Sequence, residues 1–409
     1  MINLKINTDY KIKNILYYLC AVIIFINPLL EAPKNIVMII LLFAAIYSEV
    51  IKKQYQQFGK WDLFFFAYIL SCIIGIPLAA YATHFGVVTD VLRYTIFGWI
   101  IYRSNFNEKQ KIHLVCWATS GTVIALFYGA YSHYIMHEGD FWTLKSVGHV
   151  NHAAIYNAII ACMALVTLLS YWKTFTSLNK FLWLLMLLFC LAYIILGESR
   201  ATFAAVFALF FIFAIIFGRK NRALTVPIVA LVTIIITVSF VAKIRIFEKQ
   251  QQMMEVNNIL SDRDTIWQAG INTFKAHPWF GIGKKNYRMI PIKGSGFINE
   301  NDHTSHAHNI YINTLVEGGI WAFFWLMLLF IGVGFSLFKY FPGHSSDSEQ
   351  WANWGWCFSG LAVTLIVGLV NTTFHHEHAN LIMFCFALWL STCHKIKNSE
   401  QTCTRVAIC

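Results

Sequence analysis

The residue types best suited to acid–base chemistry are concentrated in one polar stretch, Asn301-Asp302-His303-Thr304-Ser305-His306-Ala307-His308-Asn309. It contains three histidines within six residues, and an apolar segment follows directly at Ile310. A neutral imidazole can act as a general base toward a hydroxyl, because its pKa lies near ambient pH. A single histidine beside an apolar segment is more often an interfacial side chain. The case for chemistry therefore depends on the polar residues that accompany it.

A second cluster, His375-His376-Glu377-His378, precedes the last apolar segment. Imidazole nitrogens and a carboxylate are common ligands for zinc or iron, so the two clusters together could bind a divalent metal. Their spacing contains no HExxH motif, and the ten cysteines include no CxxC pair and lie mostly in apolar segments. We therefore expect no metal and no other cofactor, while a metal-dependent membrane enzyme stays open as an alternative.

Two arginines are candidates for binding an anion. Arg200 lies in Gly197-Glu198-Ser199-Arg200-Ala201, between two apolar segments, and Arg263 begins an amphipathic segment. The planar guanidinium group donates two parallel hydrogen bonds to phosphate, so the pair could hold a diphosphate without a metal. Purely structural roles stay open for both side chains. Arg200 could extend to lipid headgroups or pair with Glu198, and the aspartates that flank Arg263 could neutralise it.

The segments that must position these side chains are long and apolar. Of the 409 residues, 58% are hydrophobic and 12% are charged, whereas a soluble domain is about 45–50% apolar and about 25% charged. The composition predicts an all-α integral membrane protein with about 12 transmembrane helices and one large loop. Asp90 and Arg93, one turn apart in the fourth predicted span, could pair or face a cavity. The predicted spans are 14–31, 35–51, 62–81, 86–102, 112–135, 152–172, 180–197, 201–218, 223–242, 312–338, 354–371 and 377–394.

Basic residues indicate the orientation of these spans. If the N-terminus is cytoplasmic, the cytoplasmic segments hold 18 Lys and Arg residues and the short loops on the other side hold 3. This asymmetry is the one expected from the positive-inside rule. It predicts that both termini are cytoplasmic and that the long loop lies outside. It also accounts for the net charge of +11 without a nucleic-acid partner.

The spans and the loop divide the chain into four parts. We expect an N-terminal bundle of about nine transmembrane helices over residues 1–242 and a loop with an amphipathic helix over 243–307. C-terminal transmembrane helices are expected over 308–394, and a cytoplasmic tail over 395–409.

The loop helix has recognisable ends. Ser261 is expected to cap its N-terminus, with Asp264 completing a capping box, and His277-Pro278 is expected to end it. Gly281-Ile282-Gly283 then predicts a tight turn. The apolar face is expected to consist of Ile266, Trp267, Ile271 and Phe274.

The order of these motifs resembles the O-antigen ligase and polymerase superfamily of bacterial inner membranes. The resemblance covers about residues 85–395. The matching pieces are Ser199-Arg200-Ala201 at the start of a span, Arg263 to Trp267 (R-x-x-x-W), Pro278 to Gly283 (P-x-x-G-x-G), His308-Asn309 with Gly319 after a gap of nine residues, and Ser146 to His152, a glycine/asparagine stretch.

That resemblance implies a metal-independent, inverting glycosyltransferase with a GT-C-like fold and a periplasmic active site. The donor would be a glycan on undecaprenyl diphosphate, and the ligase branch would transfer it to a sugar hydroxyl of lipid A-core. Arg200 and Arg263 would bind the diphosphate, and His308 would deprotonate or orient the hydroxyl, although His306 or His376 could replace it. The supporting residues are expected to be Asn309, His306, Trp267, Asn151 and His376.

Other functions stay open from the sequence. A polymerase or a protein O-oligosaccharyltransferase of the same superfamily would use the same residues, although a length near 400 and a compact loop favour the ligase. A transporter would need polar residues along both halves of the bilayer, whereas here they cluster on one side. Membrane lipids are the remaining expected partner, and the sequence leaves the oligomeric state open.

Overall fold

In the computed structural model, every regular element of the described chain is helical. The described residues are 2–52, 58–81, 86–138, 142–197, 199–218, 222–241, 248, 251, 254–255, 260, 262–292, 303–343 and 345–406. The helices are α1 (Ile2–Ile26), α2 (Glu31–Lys52), α3 (Lys60–Leu78), α4 (Gly86–Ser104), α5 (Glu108–Tyr134), α6 (Val150–Tyr171), α7 (Ser177–Leu196), α8 (Arg200–Gly218), α9 (Arg222–Val241), α10 (Arg263–Ala276), α11 (Ile310–Lys339), α12 (Ser348–Val367) and α13 (His376–Val406), with a 3-10 turn at Tyr287–Met289.

Each predicted span coincides with one helix, and α10 is the predicted loop helix. Eight helices within the described residues are long and apolar enough to cross a membrane: α2, α3, α5, α6, α7, α8, α11 and α13. This fits a multi-pass α-helical membrane protein. Crossing by α1, α4, α9 and α12 stays a prediction, as does the orientation of the bundle. The tail expected from residue 395 is not set apart by a helix end, because α13 continues to Val406.

Two helices form the centre of the bundle. All residues of α6 from Ala153 to Tyr171 are buried, and α6 packs against α7, α8 and α12. Close approach requires small residues at these contacts. A Cβ atom on Gly355 of α12 would lie 2.5 Å from Val166 of α6. The other central helix, α13, packs mainly on α4 and α12, and outer helices such as α1 and α2 expose Ile, Phe and Tyr side chains.

The helix α11 is broken at Gly319. The backbone there has φ 65° and ψ −170°, a conformation that is essentially restricted to glycine. Broken backbone inside a membrane protein must satisfy its N–H and C=O groups with other protein groups. Here Ile282 and Gly283 donate backbone hydrogen bonds to the carbonyls of Val316 and Glu317, both at 2.9 Å.

The same loop segment also accepts hydrogen bonds from the far side of the break. The N–H groups of Ile320 and Trp321 donate to the carbonyls of Pro278 (2.8 Å) and Trp279 (3.2 Å). We call residues 278–283 together with 316–321 the backbone clamp. Gly281 (φ +66°) allows this approach, because a Cβ there would lie 2.5 Å from the Val316 carbonyl oxygen. The predicted tight turn at Gly281 to Gly283 is therefore confirmed.

The loop helix α10 differs in detail from the expectation. It begins at Arg263 after Asp262, which adopts a left-handed conformation (φ 58°) and makes no side-chain cap. The predicted capping box depends on Ser261, which lies outside the described residues. Ile266, Trp267 and Phe274 pack on the loop core. Ile271 does not, because it points outward and is 36% exposed. The predicted end of the helix is correct, since α10 stops at Ala276.

A buried ion pair ties the first helices to the last. Lys34 of α2 is fully buried and pairs with Glu377 of α13, which also accepts a hydrogen bond from the Ser146 hydroxyl (3.2 Å). The predicted spans 14–31 and 35–51 place Lys34 in the short loop between them. In the structure, α2 begins at Glu31 and includes Lys34. Pairing satisfies a charge that would be costly to bury alone.

The backbone clamp makes a prediction about stability. Gly319→Ala is expected to lower the free energy of unfolding by about 3 kcal/mol or more, because alanine cannot easily adopt this backbone conformation and its Cβ would lie 2.2 Å from the Trp279 carbonyl oxygen. Unfolding of the full-length protein in detergent measures the change. Gly334→Ala is the matched control on the same helix, since its Cβ would meet only Leu361 at 3.7 Å. Equal stability of the two variants would contradict this account of the break.

Candidate functional site

His308 is held in a strained backbone conformation directly before α11. Its φ angle is +48°, in the left-handed region that non-glycine residues seldom occupy, and such strain is often found at functional sites. The next residue, Asn309, caps α11, since its side-chain oxygen accepts hydrogen bonds from the N–H groups of Tyr311 (2.9 Å) and Ile312 (3.0 Å). The Asn309 side-chain amide also donates to the carbonyl of Leu369 (2.9 Å).

Two hydrogen bonds hold the backbone of Ala307, the residue before His308. The Ala307 carbonyl accepts a hydrogen bond from the Trp267 indole (2.9 Å), and its N–H donates to the side-chain oxygen of Asn313 (3.0 Å). Two expected supporting residues, Trp267 and Asn309, thus hold the backbone on either side of His308. These hydrogen bonds fix the backbone that carries the imidazole.

The imidazole of His308 is kept neutral. Its Nδ1 lies 3.5 Å from the side-chain oxygen of Asn371. Burial lowers the pKa of His308 to about 4, and the positive charges of His306 and Arg263 contribute, while the contact with Asn371 acts in the opposite direction. Since the pKa lies well below neutrality, the ring is uncharged at pH 7 and can accept a proton.

Arg200 and Arg263 each occupy the first residue of a helix, α8 and α10. Burial lowers the pKa of the Arg263 guanidinium, and the positive charge of Arg200 lowers it further. The two cations therefore lie within electrostatic range of each other, and Arg263 lies within range of His308. The Arg263 Nη1 donates to the Leu260 carbonyl (2.9 Å), whereas its buried Nε has no hydrogen-bond partner among the described residues.

Two neighbouring cations at helix starts favour the binding of an anion. A cation at a helix N-terminus opposes the helix dipole, and two neighbouring cations repel each other. An anion between them would relieve both effects and would also meet N–H groups at two helix starts. The pair is thus well suited to a phosphate or diphosphate. Glu198, the alternative partner for Arg200, lies outside the described residues.

Seven histidines form a contiguous cluster beside this pair. The His306 ring lies 5.2 Å from His308, 5.7 Å from His152 and 6.1 Å from His375, measured between ring centroids. The members are His149, His152, His306, His308, His375, His376 and His378. His303 is apart from them, since its Nδ1 lies 3.2 Å from the Ile290 carbonyl; Asp302 is outside the described residues. Burial lowers the pKa of His306.

The histidine cluster does not assemble into a recognisable metal centre. Within the described ranges, no group of three or more His, Cys, Asp or Glu side chains is arranged to hold a metal ion. His378 Nε2 donates instead to the His152 carbonyl (2.7 Å), and Glu377 is engaged by Lys34. The metal alternative therefore has no donor set in the described structure.

A cavity of about 450 Å³ lies on the other side of His306. Its walls come from α3, α4, the starts of α6 and α13, the first half of α11 and the loop after the clamp. His306 and His376 line it, whereas Arg200, Arg263 and His308 are not among its lining residues. The sequence predicted one site, but in the structure Arg200, Arg263 and His308 do not line the cavity, whereas His306 does.

Charged residues on one cavity wall pair with each other. Asp90 pairs with Arg93, as the sequence suggested, and with Lys285 at 2.8 Å. His376 Nδ1 lies 3.7 Å from the same carboxylate, so His376 belongs to this wall and is separate from the surroundings of His308. Asn151 contributes its backbone N–H, which donates to His149 Nδ1 (3.2 Å) at the start of α6.

Sequence reasoning missed three contributing residues, Asn313, Asn371 and Lys34. Asn313 orients Ala307, Asn371 contacts His308, and Lys34 neutralises Glu377. Each lies within or at the edge of an apolar segment, where a polar side chain is costly. The energetic cost of a polar side chain in an apolar segment could have identified these three residues as candidates. It does not show which residue each of them contacts.

A family model described as O-antigen ligase matches residues 185–327. The matched range extends from α7 through the break in α11, and it contains Arg200, Arg263 and His308. No curated protein matches the chain significantly. This family match, in an all-helical chain with several candidate membrane spans, supports membership of the O-antigen ligase and polymerase superfamily.

Proposed function

We propose that the protein is an O-antigen ligase that transfers an undecaprenyl-diphosphate-linked glycan to a sugar hydroxyl of lipid A-core. The observation that carries the proposal is that neutral His308 lies within electrostatic range of Arg263 and has its ring 5.2 Å from that of His306, which lines a cavity. The family match to glycosyl-transferring ligases and polymerases supports a glycosyl-transfer enzyme. In this proposal the reaction occurs at the periplasmic face of the inner membrane, and both chain termini are cytoplasmic.

The proposed reaction is a single displacement. His308 accepts the proton of the acceptor hydroxyl, and the hydroxyl oxygen forms a bond to the anomeric carbon of the donor sugar. The bond from that carbon to the diphosphate oxygen breaks, and its electron pair leaves with the lipid diphosphate. Arg200 and Arg263 stabilise the charge that develops there. Attack opposite the leaving group inverts the anomeric centre, and no metal is required because the arginines neutralise the leaving group.

Donor binding also raises the pKa of His308 in this proposal. In the free protein, Arg263 helps to hold the pKa of His308 near 4, which makes the imidazole a weak base. A bound diphosphate brings negative charge close to this arginine and favours the protonated ring. The pKa of His308 therefore rises when the donor is in place, so that the base becomes effective at the moment it is needed.

A polymerase or a protein O-oligosaccharyltransferase would share these residues and differ in the acceptor. Purified protein supplied with lipid-linked glycan and either lipid A-core, a second lipid-linked glycan or an acceptor peptide distinguishes them. Transfer to lipid A-core supports the ligase. Exclusive chain extension on the lipid carrier would replace it with the polymerase.

Substitutions at the three central residues are expected to remove transfer. His308→Ala is expected to lower kcat by roughly 10²–10⁴-fold, and Arg200→Ala or Arg263→Ala by about 10²-fold or more, with a higher KM for the donor. Steady-state transfer to lipid A-core by the purified protein measures these effects.

Matched controls lie in the same loop. His303→Ala removes a histidine outside the cluster, and Arg288→Ala removes an exposed arginine that follows the clamp. Both are expected to retain activity close to that of the unsubstituted protein. Normal transfer by His308→Ala would exclude the proposed mechanism.

The pH profile reports the state of His308 in the free enzyme. Because its folded pKa is lowered to about 4, the imidazole is neutral above that value and becomes protonated only below it. The kcat/KM for the donor should thus stay nearly constant from neutrality down to about pH 5 and fall as the pH approaches 4. A falling limb centred near 6.5, the value of an ordinary histidine, would contradict the buried position of this base.

Chelation tests the proposed metal independence. Excess EDTA is expected to leave the transfer rate unchanged, since the guanidinium groups supply the positive charge that a divalent ion would otherwise provide. The assay uses purified protein and metal-free lipids. Loss of activity that returns on adding a divalent ion would favour the metal-dependent alternative.

A further inference from the structure

The cavity beside His306 has no role in the chemistry assigned so far. Its volume of about 450 Å³ falls within the range of small-molecule sites, about 300–1,000 Å³. It reaches the surroundings of His308 through His306, whose ring lies 5.2 Å from that of His308. A molecule in the cavity would therefore lie close to His308 without contacting Arg200 or Arg263, which do not line the cavity.

A glycine in the last turn of α3 keeps this cavity open. Gly75 lines the cavity, and a Cβ atom built on it would meet no other atom within 4 Å. Glycine in a helix interior is less favourable than alanine by about 1 kcal/mol. Its neighbours on the same face, Ser71 and Cys72, are also small. The space is thus a feature of the sequence, maintained against helix propensity.

The lining combines aromatic rings with hydrogen-bonding groups. Tyr94 and Phe374 form an edge-to-face pair, with ring centroids 5.3 Å apart, in the wall. The ammonium group of Lys284 lies 6.0 Å from the Tyr94 ring centroid, and within the described chain no carboxylate lies at ion-pair distance from it. Glu317 contributes a buried carboxylate, which Asn313 orients by a hydrogen bond of 3.0 Å.

This combination suits a saccharide. Sugar rings present C–H faces that pack on aromatic side chains, and their hydroxyl groups form hydrogen bonds with carboxylate, ammonium and imidazole groups. A lipid tail would place the Lys284 ammonium group against hydrocarbon, which is costly for a charged group. A diphosphate would meet the buried carboxylate of Glu317, which repels it.

We propose that this cavity is the acceptor-sugar site, and that the space left by Gly75 admits the sugar ring. The inference rests on the proposed transferase function, which it deepens by separating the two substrates. The donor diphosphate lies on the side of Arg200 and Arg263, and the acceptor sugar lies in the cavity. The acceptor hydroxyl then reaches His308 past His306.

Filling the cavity tests the proposal. Gly75→Phe in the full-length protein is expected to raise the KM for lipid A-core by roughly tenfold or more and to leave the KM for the lipid-linked donor within about twofold. Gly75→Ala is expected to have a smaller effect in the same direction. Steady-state transfer is measured with each substrate varied while the other is saturating.

The matched control introduces the same ring elsewhere on α3. Ile73 is 39% exposed and does not line the cavity, so Ile73→Phe is expected to change neither KM. An unchanged donor KM in Gly75→Phe also establishes that the variant is folded. If Gly75→Phe raises the donor KM instead, or changes neither KM, the assignment of the acceptor to this cavity is wrong.

A binding measurement separates this inference from the proposed reaction. Free core oligosaccharide, added without donor, is expected to raise the thermal unfolding temperature of the unsubstituted protein and of Arg263→Ala, but not that of Gly75→Phe. Such binding without any transfer would refute the ligase reaction and retain the saccharide site. Transfer to lipid A-core that is insensitive to Gly75→Phe would retain the reaction and refute the site.

Discussion

The backbone clamp at Gly319 is the constraint on which the candidate site depends. Four hydrogen bonds join residues 278–283 to the two sides of the break in α11, so the break leaves none of these groups unpaired. The short first part of α11, before the break, carries Asn313 and Glu317 and begins next to His308. Its direction is set by the clamp rather than by the longer second part. The orientation of the base and one cavity wall therefore follow from a contact between two backbones, which only glycine at positions 281 and 319 permits.

The charge states of the arginines, histidines and carboxylates in the candidate site are set by the protein before any substrate binds. The cations that face an anion are at helix starts, where they are least favoured. Most of the clustered histidines are partly or fully buried and their mutual repulsion disfavours protonation, so they favour a neutral, polar surface. Two carboxylates near the cavity, Glu377 and Asp90, are paired with Lys34 and with Arg93 and Lys285. The site thus has its strongest positive potential at the two arginines, which separates an anionic leaving group from an uncharged nucleophile.

The sequence predicted the local elements well and the long-range partners poorly. Apolar length located the helices, because hydrophobicity is a local property. The break at Gly319 within the predicted span 312–338 was not predicted, since it depends on the contact with residues 278–283. The inward position of Ile271 was wrong, since tertiary packing with the 3-10 turn decides how α10 lies. The cavity could not be predicted. Its walls join residues of α3, α4, α11 and α13, and the pairing of such distant segments depends on packing angles that no local pattern encodes.

The ion pair between Lys34 and Glu377 has a consequence for biosynthesis. The partners are 343 residues apart, so the lysine is synthesised long before its carboxylate emerges from the ribosome. Until α13 is inserted, Lys34 has to remain hydrated or at the bilayer surface, because an unpaired charge in the interior costs about 3–5 kcal/mol. The early helices therefore cannot reach their final packing on their own. Insertion of α13 completes the bundle. A truncated chain that lacks α13 retains the accessible charge of Lys34, which distinguishes it from the complete protein.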